Sequence, residues 1–267
     1  MYLTDYHTHS SCSPDGYVPM WEMAQAAVAA GLQELCLTDH CDLLSQHGDH
    51  RELTYDWSPV LAQREELLSR YGDRLTLPLG LEFGMGHIDL DAAHTILSQP
   101  GLDFVIGSLH NHSEAAGGVD FYYQDYSTLQ SCYDALDDYF SSMEALASTD
   151  VYDVLGHIIY PLRYMERDGQ RPSLERYYEP LRAILRTAVQ NGRGIEINTY
   201  RGNTLSDWRP ILALYKEAGG EIITLGSDAH VPRGVGKGIP EACQLLLDAG
   251  FRYVATYRGR TPQFVKL

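Results

Sequence analysis

Seven short apolar runs recur along this chain; five end in a histidine and the other two carry a glutamate. The runs are LTDYH (3–7), ELCLTDH (34–40), LTLPLGLEFG (75–84), DFVIGSLH (103–110), VYDVLGH (151–157), GIEINTY (194–200) and EIITLGSDAH (221–230). Amphipathic stretches separate them, among them PMWEMAQAAVAAG (19–31), PVLAQREELLSRYG (59–72), LERYYEPLRAILRTAVQNG (174–192) and WRPILALYKEAGG (208–220). In the first of these, Pro19 stands near a helix start and Gly31 at its stop. Runs this apolar suit parallel strands buried on both faces. Strand–helix units at roughly 30 to 45 residues fit either a (β/α) barrel or a doubly wound open sheet. The polar strand ends favour the barrel, which gathers all of them on one face. A late run, FRYVATY (251–257), is expected to add a strand.

No linker rich in Gly, Ser or Pro divides residues 1–267, and 44% hydrophobic content suffices for a large core, so one domain is expected. The chain carries 20 basic and 36 acidic residues, a formal net charge of −16. That field repels a nucleic-acid polymer and an anionic membrane, and it leaves any bound phosphate to metal ions or a few arginines. The five cysteines are odd in number and form no CxxC pair, which fits a reducing cytoplasm better than a disulfide framework. Neither a leader peptide nor a membrane span is expected from the sequence.

The ionisable strand ends are His7 and His9, then Thr38-Asp39-His40, Glu82, His110, His157, Glu196 with Asn198, and Asp228 with His230. Side chains two apart on a strand face the same way, so His7 and His9 can hold one ion, and Asp5 would share their face. Asp228 and His230 would cooperate in the same manner if strand geometry runs to its end. Imidazole and carboxylate suit zinc, iron or manganese. Six histidines and two carboxylates exceed what one tetrahedral ion uses, so two or three ions with Glu82 bridging are expected. Any one of these residues alone has a bland explanation, such as a polar strand edge or a helix cap at Glu82 or Asp39. Together they do not, because stability calls for apolar or capping residues at strand ends. The other histidines, His47, His50, His87, His94 and His112, fall in loops or helical stretches and read as surface residues. Of these only His112, two residues past His110, is placed to join the site.

The order D-x-H-x-H-S, T-D-H, G-L-E, S-L-H, L-G-H, S-D-A-H resembles the PHP family of metal-dependent phosphoesterases, named for polymerase and histidinol phosphatase. The likeness runs from Asp5 to His230. It implies an α/β fold, a distorted (β/α)7 barrel with a trinuclear site in its mouth. By resemblance His7, His9, Glu82 and Asp228 hold the first ion. Glu82, His110 and His157 hold the second, and Asp15, His40 and His230 the third. Arg163, six residues after His157, and Arg201, just past the sixth strand, resemble the phosphate-binding arginines of the histidinol-phosphate phosphatase branch. So does the aromatic segment GSLHNHSEAAGGVDFYYQDY (107–126), which in that branch covers the site.

The resemblance therefore implies hydrolysis of a small phosphate monoester by metal-activated hydroxide, with L-histidinol phosphate, a compound of histidine biosynthesis, as the substrate. Asp228 or His230, or equally a water on the third ion, would shuttle a proton. Asp42, Glu114 and Asp120 lie where they could meet the cationic amine. One alternative is a PHP phosphoesterase acting on nucleotides or oligonucleotide ends, against which the negative charge argues for long polymers. Another is a non-enzymatic PHP interaction module, in which ligands are lost, whereas here the set is complete. The amidohydrolase barrel also opens on H-x-H, but its bridging lysine has no counterpart, since Lys216, Lys237 and Lys266 lie away from the strand ends.

Overall fold

The computed structural model describes residues 2–267. Strand β1 (Thr4–Thr8) leads through α1 (Met20–Ala29) to β2 (Glu34–Leu37) and β3 (His40–Asp42). Helix α2 (Ser58–Tyr71) precedes β4 (Gly80–Gly84), α3 (Leu90–Leu97) precedes β5 (Phe104–Ser108), and α4 (Leu129–Ala147) precedes β6 (Val154–Leu155). Then follow α5 (Leu162–Arg167), α6 (Tyr178–Gln190), β7 (Gly194–Asn198), α7 (Trp208–Glu217), β8 (Ile223–Gly226) and α8 (Ile239–Asp248). The chain closes with β9 (Tyr253–Arg258) and β10 (Thr261–Lys266).

Strands β3 to β8 form a parallel six-stranded sheet in chain order, and β1 pairs in parallel with β2. Parallel bridges join the two sheets at Leu37–Leu79 and at Thr8–Ala229. With β2 and β3 taken as one interrupted strand, the ring is β1, β2–β3, β4, β5, β6, β7, β8 and back to β1, a closed barrel of seven strands. The barrel preferred from the strand ends is thus the architecture found.

Alternation along each strand divides its side chains between two cores. Leu81 and Phe83, and likewise Ile195 and Ile197, join the large apolar cluster shared with the helices. Residues between them face the barrel interior. On α6, Leu181, Ile184, Leu185 and Ala188 are buried at helical spacing against that outer cluster. Helix α4 starts on a capping box in which the Thr128 side chain accepts from Ser131 N. Tyr6, Cys36, Phe104, Ile106, Val154, Ala255 and Tyr257 form a second, interior cluster.

The expected strand at FRYVATY exists, but it lies antiparallel to β10 and takes no place in the ring. Its hairpin closes the end of the barrel away from the histidines. Tyr257 N donates to Tyr6 Oη (2.9 Å) and Arg258 Nη1 to Glu34 Oε1 (2.6 Å).

One irregularity matters for function. The β1–β2 register shifts between Asp5 and Thr8. Tyr6 enters the interior cluster, yet the next residue, His7, also points inward, toward Glu82 and Glu196. Such a bulge re-aims side chains. Asp5 is left on the other side, where it accepts from Ser227 N (2.9 Å), Ser227 Oγ (2.6 Å) and Gly236 N (2.8 Å). The expectation that Asp5 shares the face of His7 and His9 is therefore wrong. Asp5 ties β1 to the segment after β8 instead.

His87, expected at the surface, lies just after β4 with its Nδ1 buried and without a hydrogen-bond partner among the described residues. Burial pushes its pKa down from 6.5 to about 4. The unfolded chain then takes up a proton that the folded chain refuses, so this stability is present above pH 6.5 and lost as pH falls toward 4. We expect acidification from pH 7 to 4.5 to cost the wild type about 2 kcal/mol more than His87→Gln. Urea unfolding at both pH values measures this, and equal losses refute it.

Candidate metal centre

The strand ends on the open side of the barrel converge on one buried carboxylate, Glu82. Leu81 and Phe83 pack outward, so Glu82 must face the interior. Its Oε2 lies 3.0 Å from His7 Nε2, 3.4 Å from His9 Nε2 and 3.1 Å from His40 Nδ1. Its Oε1 lies 3.1 Å from His110 Nε2 and 2.8 Å from His157 Nε2, and accepts from Ser108 Oγ (2.7 Å). The two oxygens thus serve two separate groups of imidazoles. Burial alone would raise the Glu82 pKa, but His7, His40 and His110 outweigh it and hold the carboxyl well below the usual range.

Asp228 lies beyond the end of β8, and its backbone is left-handed (φ 58°). Strand geometry therefore does not persist to His230, as the pairing of these two residues had assumed. The turn still brings them together, with Asp228 Oδ1 3.7 Å from His230 Nδ1, 3.7 Å from His9 Nε2 and 3.8 Å from His7 Nε2. Asp228 N donates to His7 O (2.9 Å), which anchors the turn on β1. Asp15, on the loop after β1, places Oδ2 2.8 Å from His230 Nε2 and 3.8 Å from His40 Nε2. All nine expected ligand residues meet within this one cluster.

Several features fit metal ions. Buried His9 Nε2 and His40 Nδ1 have no hydrogen-bond partner among the described residues. Burial, then His40 and His230, push His9 well below its ordinary pKa, leaving a neutral ring with a free lone pair. Burial likewise lowers His157. Four overlapping groups, His9–His40–His230, His7–His9–Glu82, His40–Asp42–His110 and Glu82–His110–His157, each bring their ligand atoms within 4.8 Å. Soft-to-borderline nitrogen with carboxylate oxygen is a donor set for zinc, iron or manganese.

Beside the cluster opens a cavity of about 640 Å³ whose lining includes Arg163, Arg201 and the acidic Asp42, Glu52 and Asp120. Arg163 is almost fully buried and donates to Asp228 Oδ2 (2.8 Å) and Asn198 Oδ1 (3.3 Å). Its guanidinium lies 4.9 Å from the Tyr160 ring and 4.2 Å from the Tyr200 ring. Arg201 is exposed at the lip, with a left-handed backbone (φ 59°) and its guanidinium 4.6 Å from the Tyr200 ring.

Two expectations fail at this level, and a third, for Asp42, is narrowed. Glu114 is bound by Arg51 (2.9 and 2.6 Å) and does not line the cavity. Asp42 lines it, but Oδ1 lies 2.6 Å from His110 Nδ1, so that carboxylate serves a histidine. His112 is buried, not at the surface, and packs at a tilt against Phe121 with Nδ1 3.1 Å from Asp138 Oδ2, apart from the cluster. His47, His50 and His94 are exposed as expected. Sequence reasoning gave no role to Glu52 or to two supports of the cluster. Ser13 Oγ donates to Asp39 (2.9 Å) and lies 3.1 Å from His9 Nδ1. Glu196 meets His7, and the alternation along GIEIN was the available signal for its inward face.

A family model described as PHP domain matches residues 5–200. The histidinol-phosphatase of Lactococcus lactis subsp. lactis is 27% identical over 261 residues, covering 96% of this chain and 94% of that protein. A probable histidinol-phosphatase of Thermotoga maritima is 27% identical over 259 residues, covering 95% of each. Among solved structures, histidinol phosphate phosphatase from Lactococcus lactis, complexed with zinc, L-histidinol and phosphate, superposes with a TM-score of 0.81 at 28% identity over 98% of each chain. A putative histidinol phosphatase from Listeria monocytogenes shares the fold at 19% identity, with a TM-score of 0.74, covering 90% of this chain and 100% of that one.

Proposed function

The chain belongs to the PHP domain family and is a metal-dependent phosphatase, and we propose that it hydrolyses L-histidinol phosphate to L-histidinol and phosphate. The observation that carries this reading is the division of Glu82, one oxygen toward His7, His9 and His40, the other toward His110 and His157. A carboxylate so placed would bridge two ion positions. His7, His9, Glu82 and Asp228 would hold one ion, Glu82, His110 and His157 a second, and Asp15, His40 and His230 a third. Bound divalent ions supply Lewis acidity, which activates water and neutralises phosphoryl charge.

The remaining work falls to the chain. Arg163, its guanidinium close to the Tyr160 and Tyr200 rings, would present N–H groups to phosphoryl oxygens, and Arg201 at the lip would meet the same group. Against the opposing pull of burial, His7 and Arg163 hold Asp228 well below the usual carboxylate range, so it acts as an acceptor. Burial also opposes protonation of His230, but Asp15 and Asp228 raise its pKa, which suits it to give a proton to the leaving alkoxide. Where His230 serves as a ligand that role is closed to it, and ion content per chain separates the two. Asp120 and Glu52 line the same cavity as the arginines, so a substrate with phosphate at one end and an amine at the other finds both charges met.

The test is phosphate release by the zinc- or manganese-loaded protein from L-histidinol phosphate, nucleoside monophosphates and phosphodiesters. We expect the histidinol ester to lead. Chelation should abolish turnover while far-UV circular dichroism stays unchanged, and re-addition of metal should restore it. Preference for nucleotides overturns the substrate. Turnover that survives chelation overturns the metal reading.

A further inference from the structure

Glu196 lies beneath the metal cluster, fully buried on β7 and absent from every expected ligand set. Its Oε1 is 2.7 Å from His7 Nδ1, and its Oε2 accepts from His157 N at 3.0 Å. One carboxylate therefore ties the ring of the first histidine on β1 to the backbone of the histidine after β6. The opposite nitrogen of His7, Nε2, is the one that faces Glu82 and Asp228.

A second observation shows that space is made for this pair. Gly226 in β8 stands against it, and a methyl group there would overlap both Glu196 Oε1 and His7 Cβ. Its backbone carries no positive φ, so glycine is required here for room and not for conformation.

We propose that Glu196 is a positioning residue. It holds the proton of His7 on Nδ1 and turns the Nε2 lone pair into the cluster, while fixing the backbone from which His157 projects. A ring nitrogen's partner decides which nitrogen is free to bind a metal, and such carboxylate–imidazole supports alter metal affinity without touching the ion. The assignment rests on the reading of His7 as a metal ligand. Asp42 makes the same contact with His110 Nδ1 but lines the open cavity, whereas Glu196 has no path to substrate.

The test is a zinc competition titration with a chelator on the full chain, comparing wild type, Glu196→Gln and Gly226→Ala. We expect both variants to bind zinc about 10- to 100-fold more weakly. Gly226→Ala alters no ionisable group, so its loss reports the displaced pair. A nuclear magnetic resonance readout needs no variant at Glu196. Zinc-loaded wild type should show a slowly exchanging imidazole Nδ1–H resonance that disappears in His7→Gln. Wild-type affinity in Glu196→Gln, or zinc bound at His7 Nδ1, overturns the positioning role alone. Wild-type protein that takes up no zinc overturns the metal reading, and this assignment with it.

Discussion

Replacing Glu82 with glutamine is expected to lower kcat by about a thousandfold or more, the largest effect of any single change in this protein. Glutamine keeps the size and one acceptor oxygen but removes the charge. Its amide would also point two N–H donors at one of the two imidazole groups that now face carboxylate oxygens. On the proposed reading one ion position would lose its anionic ligand, and the cluster would no longer share charge between its halves. Thermal unfolding with and without zinc separates this from a general loss of fold. Wild type should gain about 2.7 kcal/mol of stability at a hundredfold excess of zinc over its dissociation constant. Glu82→Gln should gain little. A variant that keeps both its turnover and its zinc-dependent stabilisation would falsify the bridging role.

Arg163→Ala should lower kcat/KM for the phosphate ester by about a hundredfold to a thousandfold, the scale of losing one well-placed donor to a developing charge. Arg163→Lys should recover little of this. The guanidinium is planar and lies close to the Tyr160 and Tyr200 rings, and its fork reaches Asp228 and Asn198 together, which a single ammonium cannot copy. Because Arg163 also touches Asp228, zinc content must be measured on the same preparations. Turnover lost with zinc retained assigns Arg163 to the phosphate. Turnover and zinc lost together would place its role in holding Asp228.

Much of this site was legible in the chain. His7, His9, His40, His110, His157 and His230 each close or follow an apolar run, Asp228 stands two residues before the end of one, and alternation sends Glu82 inward while Leu81 and Phe83 go out. Asp15 was found through resemblance, and the structure sets it beside His40 and His230. The supports were harder to see. Glu114 and Asp42 looked alike as free acids near the site, yet Arg51 binds one and His110 the other. Arg51 lies in another loop from Glu114, and a sequence gives no measure of which loops touch.

What the sequence determined by itself is local: apolar runs with period-two alternation make strands, amphipathic stretches make helices, and their order brings the polar ends to one side. What the tertiary structure decided all depends on closing the ring. The bulge in β1 turns Asp5 outward and His7 inward, and the β1–β8 seam sets Asp228 against His7. Glu196 reaches His7 across 189 residues of chain, through the space left by Gly226. Such contacts form between segments with no proximity along the chain. They follow from the register and curvature at which the barrel closes, and neither is encoded in any one segment.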